Sequence, residues 1–450
     1  MQHLGRITIL VCGLLLAACC CAAAKPLVVT VSPNPELARA EGFHRLAGHP
    51  PFSVPFSASV EGGEGAIACA WDFDGDGSTD STSLDPPAFV YASPGVYGAT
   101  VSVRDSTGQE ATATQRIVVI GPPDRPDWRF GLVAHLNRSY GLYETDAEAV
   151  RAAELIRDLG VDVVRVDLAW SAIQPTPDAY HWRDFDDVVQ LASEYGFDLM
   201  PILGFSTRWA SSSASPSDWA DWFFAPPATA AYAWFAYQAA ARYAGRVTAW
   251  EIWSEPNAGL YWRPEPDPAR YVELLKNAYL AIKYADPTAI VVLGGLANDE
   301  SQYQPAYPWY PPEAFLQTVY DHGGRAYFDV AARHPYTHPD QGIGALSERL
   351  RSFRLVMEAN GDAEKPIWLT EIGYAATPDA DVTETRQSEW LVECFAAVEP
   401  MDFVDALFWY NLRDTGLDPG NWEQNLGLIA HDWTLESDFE AYRALIAESE

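Results

Sequence analysis

The sequence predicts a multidomain chain: an N-terminal all-β, immunoglobulin-like sandwich followed by an α/β barrel of the TIM, (β/α)8, type. Three observations carry this. Residues 27–121 alternate apolar and polar side chains in short runs broken by Gly, Pro, Ser and Asp, which is the pattern of half-buried antiparallel strands. From residue 128 to 450, strand-like apolar runs alternate with helical periods eight times, as a parallel barrel requires. Between the two regions, residues 122–127 form the core of "GPPDRPD", a stiff proline-rich linker.

The first residues are set apart from both. Arg6 precedes the apolar run "ITILVCGLLLAAC", too short to span a bilayer as a stable helix, so residues 1–24 read as an export signal. "LAAC", Leu16 to Cys19, resembles a bacterial lipobox. That resemblance implies loss of residues 1–18 and a lipid anchor on Cys19. The alternative is ordinary cleavage after "AAA", Ala22 to Ala24. Either route takes the mature chain out of the cytoplasm, as a cell-envelope lipoprotein or as a secreted or periplasmic protein. Four of the six cysteines lie in this segment. Only Cys69 and Cys394 remain, in different predicted domains, so neither a disulfide framework nor a zinc cluster is expected.

Composition narrows the partners. The chain has 450 residues, is 48% hydrophobic, and carries 62 acidic against 29 basic side chains for a net charge of -33. Such a surface repels phosphate backbones, which argues against nucleic acid. A neutral sugar is compatible with it, and a strongly anionic polymer less so.

In the sandwich, the runs "LVVTVSP", "FSASV", "GATVSVRD" and "ATQRIVVI" are the strand candidates. "WDFDGDGSTD" followed by "FVYASPGVYGATVSVRDSTGQEATA" closely resembles the polycystic-kidney-disease (PKD) type of sandwich, whose hallmark is a W-D-F-G-D-G hairpin. Such modules are mostly spacers or binding units on secreted enzymes. Asp72, Asp74, Asp76 and Gly77 also have the spacing that opens a calcium loop of the EF-hand type. The twelfth position would be Ser83, not a bidentate glutamate. The favoured reading is therefore a tight polar turn capped by its own aspartates.

In the barrel the strand candidates are 128–136, 162–169, 197–205, 247–255, 289–296, 329–335, 366–372 and 404–411. "TDAEAVRAAELIRDLG" starts on a Thr cap and stops at Gly160, and "DPARYVELLKNAYLAIKYADP" has proline near both ends, so both are helices. A doubly wound open sheet would advertise a Gly-rich phosphate loop, and none is present. No internal repeat is evident.

Two strands end on carboxylates. "WEIWSEPN" ends on Glu255 in the fourth strand, and "IWLTEIGY" carries Glu371 in the seventh. A buried carboxylate is costly unless it is satisfied or used, and barrel enzymes keep their chemistry at the C-terminal ends of the strands. Alternation puts Glu251, Trp253 and Glu255 on one face, and Ile367, Leu369 and Glu371 on one face. Two carboxylates converging on one mouth suit cleavage of a glycosidic bond, one as acid and the other as nucleophile or base. Their separation, which decides between retention and inversion, is not readable from the sequence.

From about residue 128 onward the chain resembles the retaining barrel glycosidases of clan A, especially the family-39-like group within the cellulase superfamily. "VRVDLAWSAIQPTPDAYHWRDFD", "AWEIWSEPN", "ARHPYTH", "WLTEIGY" and "FWYNLRD" carry the resemblance together. It implies Glu255 as acid/base and Glu371 as nucleophile. It also implies a retaining glycoside hydrolase acting by double displacement; with the export signal, and with long aromatic loops that tilt the reading toward endo action, the expectation is an exported, endo-acting, monomeric hydrolase of a β-linked glycan. No cofactor and no metal are expected. The group typically has Asn directly before the acid/base, where it contacts the sugar 2-hydroxyl; this chain has Ser254. The alternative is thus a catalytically weak or inactive glycan-binding or adhesion protein on the same scaffold. A metal-dependent barrel hydrolase would need more ligands than His334 and His338 offer.

Supporting residues each have a plainer reading. Arg165 either holds the nucleophile ionised or forms a structural pair with Glu251. His334 and Tyr336, in "HPY", sit where such enzymes place a hydrogen bond to the nucleophile. His135 ends strand one, and Asn257 follows the acid/base. Trp409, ending strand eight, and Trp262, in "NAGLYWRP", are candidate sugar platforms, although a lone tryptophan is more often core. Trp219, Trp222, Tyr303, Tyr307 and Trp309 lie on proline-rich loops that either extend a glycan cleft or cover the barrel top.

Overall fold

The computed structural model describes residues 25–138, 141–143, 145–214, 222–302, 304–337, 341–376 and 383–449. The export segment with Cys19, and the side chains of Trp219, Tyr303 and His338, lie outside these residues. The chain divides into two compact units: Met1–Ser32 with Phe56–Pro87 and Ala99–Gln115, and Pro33–Pro55 with Ala88–Gly98 and Arg116–Glu450.

The N-terminal region contributes β1 (Val28–Ser32), β2 (Ala47–Gly48), β3 (Phe52–Val54), β4 (Ser57–Glu61), β5 (Ala68–Asp72), β6 (Phe89–Tyr91), β7 (Gly95–Arg104) and β8 (Glu110–Val119). In the first unit β1 pairs with β4, and β5 with the Thr100–Arg104 end of β7, both antiparallel. Period-2 patterning works as it should: Cys69, Trp71, Val101 and Val103 are buried, and Trp71 packs on Phe56 and Phe73. The acidic hairpin is a polar turn. Asp72 accepts from the amides of Gly75 (2.7 Å) and Gly77 (3.0 Å), and Asp80 from that of Phe73 (2.7 Å). Gly75 and Gly77 have φ of 81° and 86°, which their missing Cβ permits. In the second unit β2 runs parallel to β8, and β3 antiparallel to β6.

The rest of the second unit is the barrel: β9 (Phe130–Val133), β10 (Val163–Ala169), β11 (Asp198–Gly204), β12 (Ala249–Ile252), β13 (Ile290–Leu293), β14 (Leu296–Ala297), β15 (Ala331–His334), β16 (Ile367–Ile372) and β17 (Val404–Tyr410). These run in the order β13-β12-β11-β10-β9-β17-β16-β15-β14, all parallel. β13 and β14 are two halves of one barrel strand, the first paired with β12 and the second with β15. The amide of Leu293 donates to Val330 (2.9 Å), so the curled sheet meets itself. The interior is filled by Val133, Val163, Met200, Ile290, Trp368 and Phe408, among others. Burying a side chain of this size stabilises by about 1.5–3 kcal/mol, so the barrel centre is a packed core.

The helices begin and end where the sequence marks them. Asp146–Leu159 starts on a reciprocal Thr145–Glu148 capping box and stops at a left-handed Gly160; Pro268–Ala285 starts on Asp267 with proline in its first turn. The last helix, Ser437–Ala447, is docked by Tyr442, whose hydroxyl donates to the Gly131 carbonyl (2.8 Å). In its first turn Asp438 is 1% exposed, and neither carboxyl oxygen finds a hydrogen-bond partner among the described residues. Burial, with Glu436 adding to it, pushes the Asp438 carboxyl well above the usual range. No helix among the described residues is long and apolar enough to cross a membrane.

Candidate active site

Arg165 organises the barrel mouth. It leaves β10 on the same side as Val163, and it is 1% exposed. Nε donates to Glu251 Oε2 (2.5 Å), Nη2 to Glu251 Oε1 (3.1 Å) and Ser254 Oγ (3.2 Å), and Nη1 to Glu371 Oε1 (2.5 Å). Burial works against its charge, but the two carboxylates outweigh that and hold its pKa above the ordinary value. Both readings of Arg165 therefore apply at once: it pairs with Glu251 and reaches the second glutamate.

Local backbone decides how the strand ends aim their side chains. On β12, alternation holds through Ala249 and Glu251, then breaks. Trp253 and Glu255 have φ of 69° and 50°, left-handed values that are uncommon outside glycine. The expected single face of Glu251, Trp253 and Glu255 is thereby corrected. Trp253 is fully buried against Phe205 and Trp262, while Ser254 turns to Arg165 and Glu255 enters the mouth. On β16 the pairing with β17 shifts register between Leu369 and Ile372. Trp368 faces the interior, and Thr370 and Glu371 both reach the site, so Ile367, Leu369 and Glu371 do not share the mouth face by simple alternation. The Gly294–Gly295 break in the fifth strand is a matter of close approach. A Cβ on Gly295 would lie 2.1 Å from His334 Nε2, and one on Gly294 would lie 2.6 Å from the Ile252 carbonyl.

Glu255 and Glu371 face one cavity of about 680 Å³. One oxygen of each, with a nitrogen of His334, lies within 4.8 Å of the others. Glu371 accepts from Arg165 and, on Oε2, from the Tyr336 hydroxyl (3.1 Å), contacts that stabilise a carboxylate. Glu255 Oε1 is 2.7 Å from His334 Nδ1. Burial raises the Glu255 pKa to about 8; Arg165 opposes the rise and Glu300 adds to it. Burial also pushes His334 down to about 4, so its ring is neutral.

The proton order follows from who can donate. His334 Nε2 is 3.0 Å from Thr370 Oγ1, and the Thr370 hydroxyl is directed at Glu251 Oε1 (3.5 Å). A carboxylate paired with arginine only accepts, so Thr370 donates to it and accepts from Nε2–H. Nδ1 is then a bare acceptor facing Glu255, an arrangement that favours the protonated carboxyl. Geometry and burial agree that Glu255 carries a proton at neutral pH. A reaction that used Glu255 as its acid would show an alkaline limb in kcat/KM with an apparent pKa near 8. A pH–rate profile flat from 6 to about 9 would contradict it.

Of the nine residues expected in the site, Glu255, Glu371, Arg165, His334 and Tyr336 come together in this one network. His135 stands behind the wall. It bonds Asp167 (2.6 Å) and the hydroxyl of Tyr410 (3.3 Å), and Tyr410 lines the cavity. Three expectations are corrected. Asn257 is fully buried, donating to the carbonyls of Ala297 and Tyr310 and accepting from the Ala297 amide, so it fixes a loop and has nothing left for a sugar. Trp262 is 2% exposed between Trp253 and Tyr271. Trp409 is fully buried near Tyr374, on the face opposite Phe408 and Tyr410.

Tyr410 was the legible alternative, because Ala406 and Phe408 face the interior and alternation carries that face to position 410. Trp309 lines the cavity, as do Trp390 and Trp422, whereas Trp222 is exposed and Tyr307 stacks with Arg263.

Residues 131–414 match the family model Cellulase (glycosyl hydrolase family 5), and residues 33–119 match that of the PKD domain. No curated protein matches the chain. Among solved structures, a family 39 glycoside hydrolase from the gut symbiont Bacteroides cellulosilyticus WH2 is similar at 22% identity and TM-score 0.56, covering 85% of this chain and 78% of its own. A GH5_18 protein from Streptomyces cattleya in complex with Manb1-4GlcNAc is similar at 18% identity and TM-score 0.55, covering 72% and 81%. Xylanase 10B from Thermotoga maritima is similar at 15% identity and TM-score 0.50, covering 72% and 96%. At these identities the structural likeness concerns the fold.

Proposed function

The chain belongs to the cellulase family, glycosyl hydrolase family 5, and is a glycosidase with a PKD domain; on that premise we propose that it is an exported, retaining, endo-acting hydrolase of a β-linked glycan. The observation that carries the mechanism is the approach of Glu255 and Glu371 to within 4.8 Å at their nearer oxygens. Close carboxyl pairs, with groups about 5–5.5 Å apart, act by double displacement, and inverting pairs stand about 6.5–9.5 Å apart to admit water; an approach of the nearer oxygens supports the first reading, and product stereochemistry decides between them.

In the first step Glu371 attacks the anomeric carbon. The bond from that carbon to the leaving oxygen breaks, and Glu255 passes its proton to that oxygen. In the second step Glu255, now a carboxylate, takes a proton from water. The oxygen of that water displaces Glu371 from the anomeric carbon and leaves the original configuration restored. The surroundings support the same assignments: Arg165 and Tyr336 donate to Glu371, and His334 Nδ1 accepts from Glu255.

Glu255, His334 and Glu371 also have ligand-like spacing, but both Glu371 oxygens already hold donors, and His334 Nδ1 faces Glu255 Oε1 at 2.7 Å. Ser254 is turned to Arg165, its Oγ accepting from Nη2 at 3.2 Å. The long aromatic loops suit an extended glycan. Export rests on residues 1–24 and anchoring on Cys19, whose lipidation mass spectrometry would read directly.

The test is turnover of residues 26–450 on a panel of β-linked polysaccharides and aryl glycosides, with Glu371→Gln beside it. Turnover that vanishes in the variant while glycan binding persists supports the hydrolase. Equal turnover by both proteins overturns the assignment. Silence in both with binding retained would turn the reading to a glycan-binding protein.

A further inference from the structure

We propose that Arg333 is a positioning residue for the second step, an unpaired buried guanidinium that favours Glu255 as the carboxylate taking a proton from water. This rests on the hydrolase reading above and extends it to a side chain outside the reacting pair. Arg333 lies on β15, one residue before His334, and is 1% exposed. Alternation from the interior-facing Ala332 turns it toward the helix Gly342–Ala359, where it stands over the Phe353 ring at 5.8 Å. Nη1 donates to the carbonyls of Leu296 (2.7 Å) and His334 (3.1 Å), and Nη2 to Asn298 Oδ1 (2.9 Å). Nε has no partner, and among the described residues every acceptor of this guanidinium is neutral.

A buried charge is costly unless it is paired. Holding two carbonyls and one amide oxygen does not require a charge, because a neutral amide could donate to them as well. Burial pushes Arg333 down to about 10, which leaves it charged at neutral pH. Glu313, on the helix Pro312–Asp321, Glu255 and Glu300 act on it in favour of that charge, and Arg349, on the helix Gly342–Ala359, acts against it.

Glu255 needs such a charge in one half of the cycle. In the first step it is protonated, and His334 Nδ1 accepts from it at 2.7 Å. Once the proton has gone to the leaving oxygen, Glu255 is a carboxylate facing a nitrogen with no hydrogen to offer. Glu371 is by then an ester and uncharged. Arg165 stays paired with Glu251 through Nε (2.5 Å) and Nη2 (3.1 Å), so these two charges largely cancel at Glu255. Glu300 adds negative charge. Among the described residues that act on Glu255, Arg333 is then the cation with no carboxylate paired to it. The carboxylate it favours takes a proton from water as the water oxygen bonds the anomeric carbon. The bond from that carbon to Glu371 breaks, and Glu371 leaves as a carboxylate.

Arg333 also braces the site: Asn298, held by Nη2, donates from Nδ2 to the Tyr336 carbonyl (2.5 Å). The experiment therefore separates charge from hydrogen bonding. Arg333→Met and Arg333→Lys are compared with the wild-type protein on a dinitrophenyl β-glycoside, whose leaving group departs without an acid, so that hydrolysis of the glycosyl-enzyme limits kcat. Removing a cation raises the Glu255 pKa. Reactivation in water of enzyme trapped with the matching 2-deoxy-2-fluoro glycoside should show this in Arg333→Met as an acidic limb moved up by about one pH unit. Below that limb kcat should fall about tenfold with KM falling alongside, and kcat/KM should stay within about threefold. Arg333→Lys keeps a charge without the fork of donors, and its limb should stay in place. Should the methionine variant not fold, Arg333→Gln carries the same expectation. A fall in kcat and kcat/KM together with an unmoved limb, or a limb equally displaced in the lysine variant, would make Arg333 a brace only and overturn the inference. Wild-type turnover that Glu371→Gln abolishes then shows that only this assignment has failed. If no glycoside of any kind is turned over, the hydrolase reading fails with it.

Discussion

Glu371→Ala is expected to lower kcat by about 10⁴-fold or more, since removing a covalent nucleophile costs the step itself, not merely its rate enhancement. The fold should survive, because the side chain is 16% exposed at the barrel mouth and is not part of the interior packing. The vacated space sits beside Arg165 Nη1 and the Tyr336 hydroxyl, two donors that now face nothing. Azide fits that space and is drawn by that charge. It should restore turnover of an activated aryl glycoside by attacking the anomeric carbon from the nucleophile's side. The product is a glycosyl azide of inverted anomeric configuration. Wild-type turnover in the variant would remove Glu371 from the mechanism.

Arg165→Met is expected to act on stability and chemistry together. The guanidinium is buried between Glu251, itself fully buried, and Glu371. Removing one partner of a buried ionic group leaves uncompensated charge, which costs about 3–5 kcal/mol. Denaturant unfolding should show that loss, and kcat should fall as well, because Glu371 loses the donor that positions its Oε1. A second change separates the two effects. Arg165→Met with Glu251→Leu removes the stranded charge and should recover much of the stability, since a buried ion pair is often replaceable by apolar side chains. It should not recover turnover. Recovery of both would make Arg165 a structural residue only. Full stability and activity in the single variant would contradict the network altogether.

The fold was legible because its signals are local and repeated. Eight apolar runs fell where β9 to β17 stand, and the Thr145 and Gly160 punctuation marked a helix to the residue. The two glutamates were legible because a carboxylate ending an apolar strand has no cheap structural explanation. What failed was side-chain direction at strand ends, where regular alternation stops. Left-handed backbone at Trp253 and Glu255 and the register shift on β16 re-aim the site, and no periodicity anticipates either.

Trp409 shows the cost of a single step of register. Its residue type suggested a platform, but its face is that of the helices, and the adjacent Tyr410 holds the place in the cavity. Asn257 shows another limit. A polar side chain in a functional motif can be consumed by backbone groups brought 40 and 53 residues along the chain. The cavity-lining Glu300 and Glu423 carried no signal at all, because isolated acids on loops of so acidic a chain look like ordinary surface.

Glu255 and Glu371 are proposed to work by double displacement. It is tested most directly by the anomeric configuration of the first product, read by proton NMR within the first turnovers, before the sugar equilibrates. Double displacement releases the β-anomer of a β-glycoside first, with the α-anomer appearing only later by mutarotation. Release of the α-anomer first would mean that water attacks directly. Glu371 would then be a base and not a nucleophile, whatever the distance between the two carboxylates.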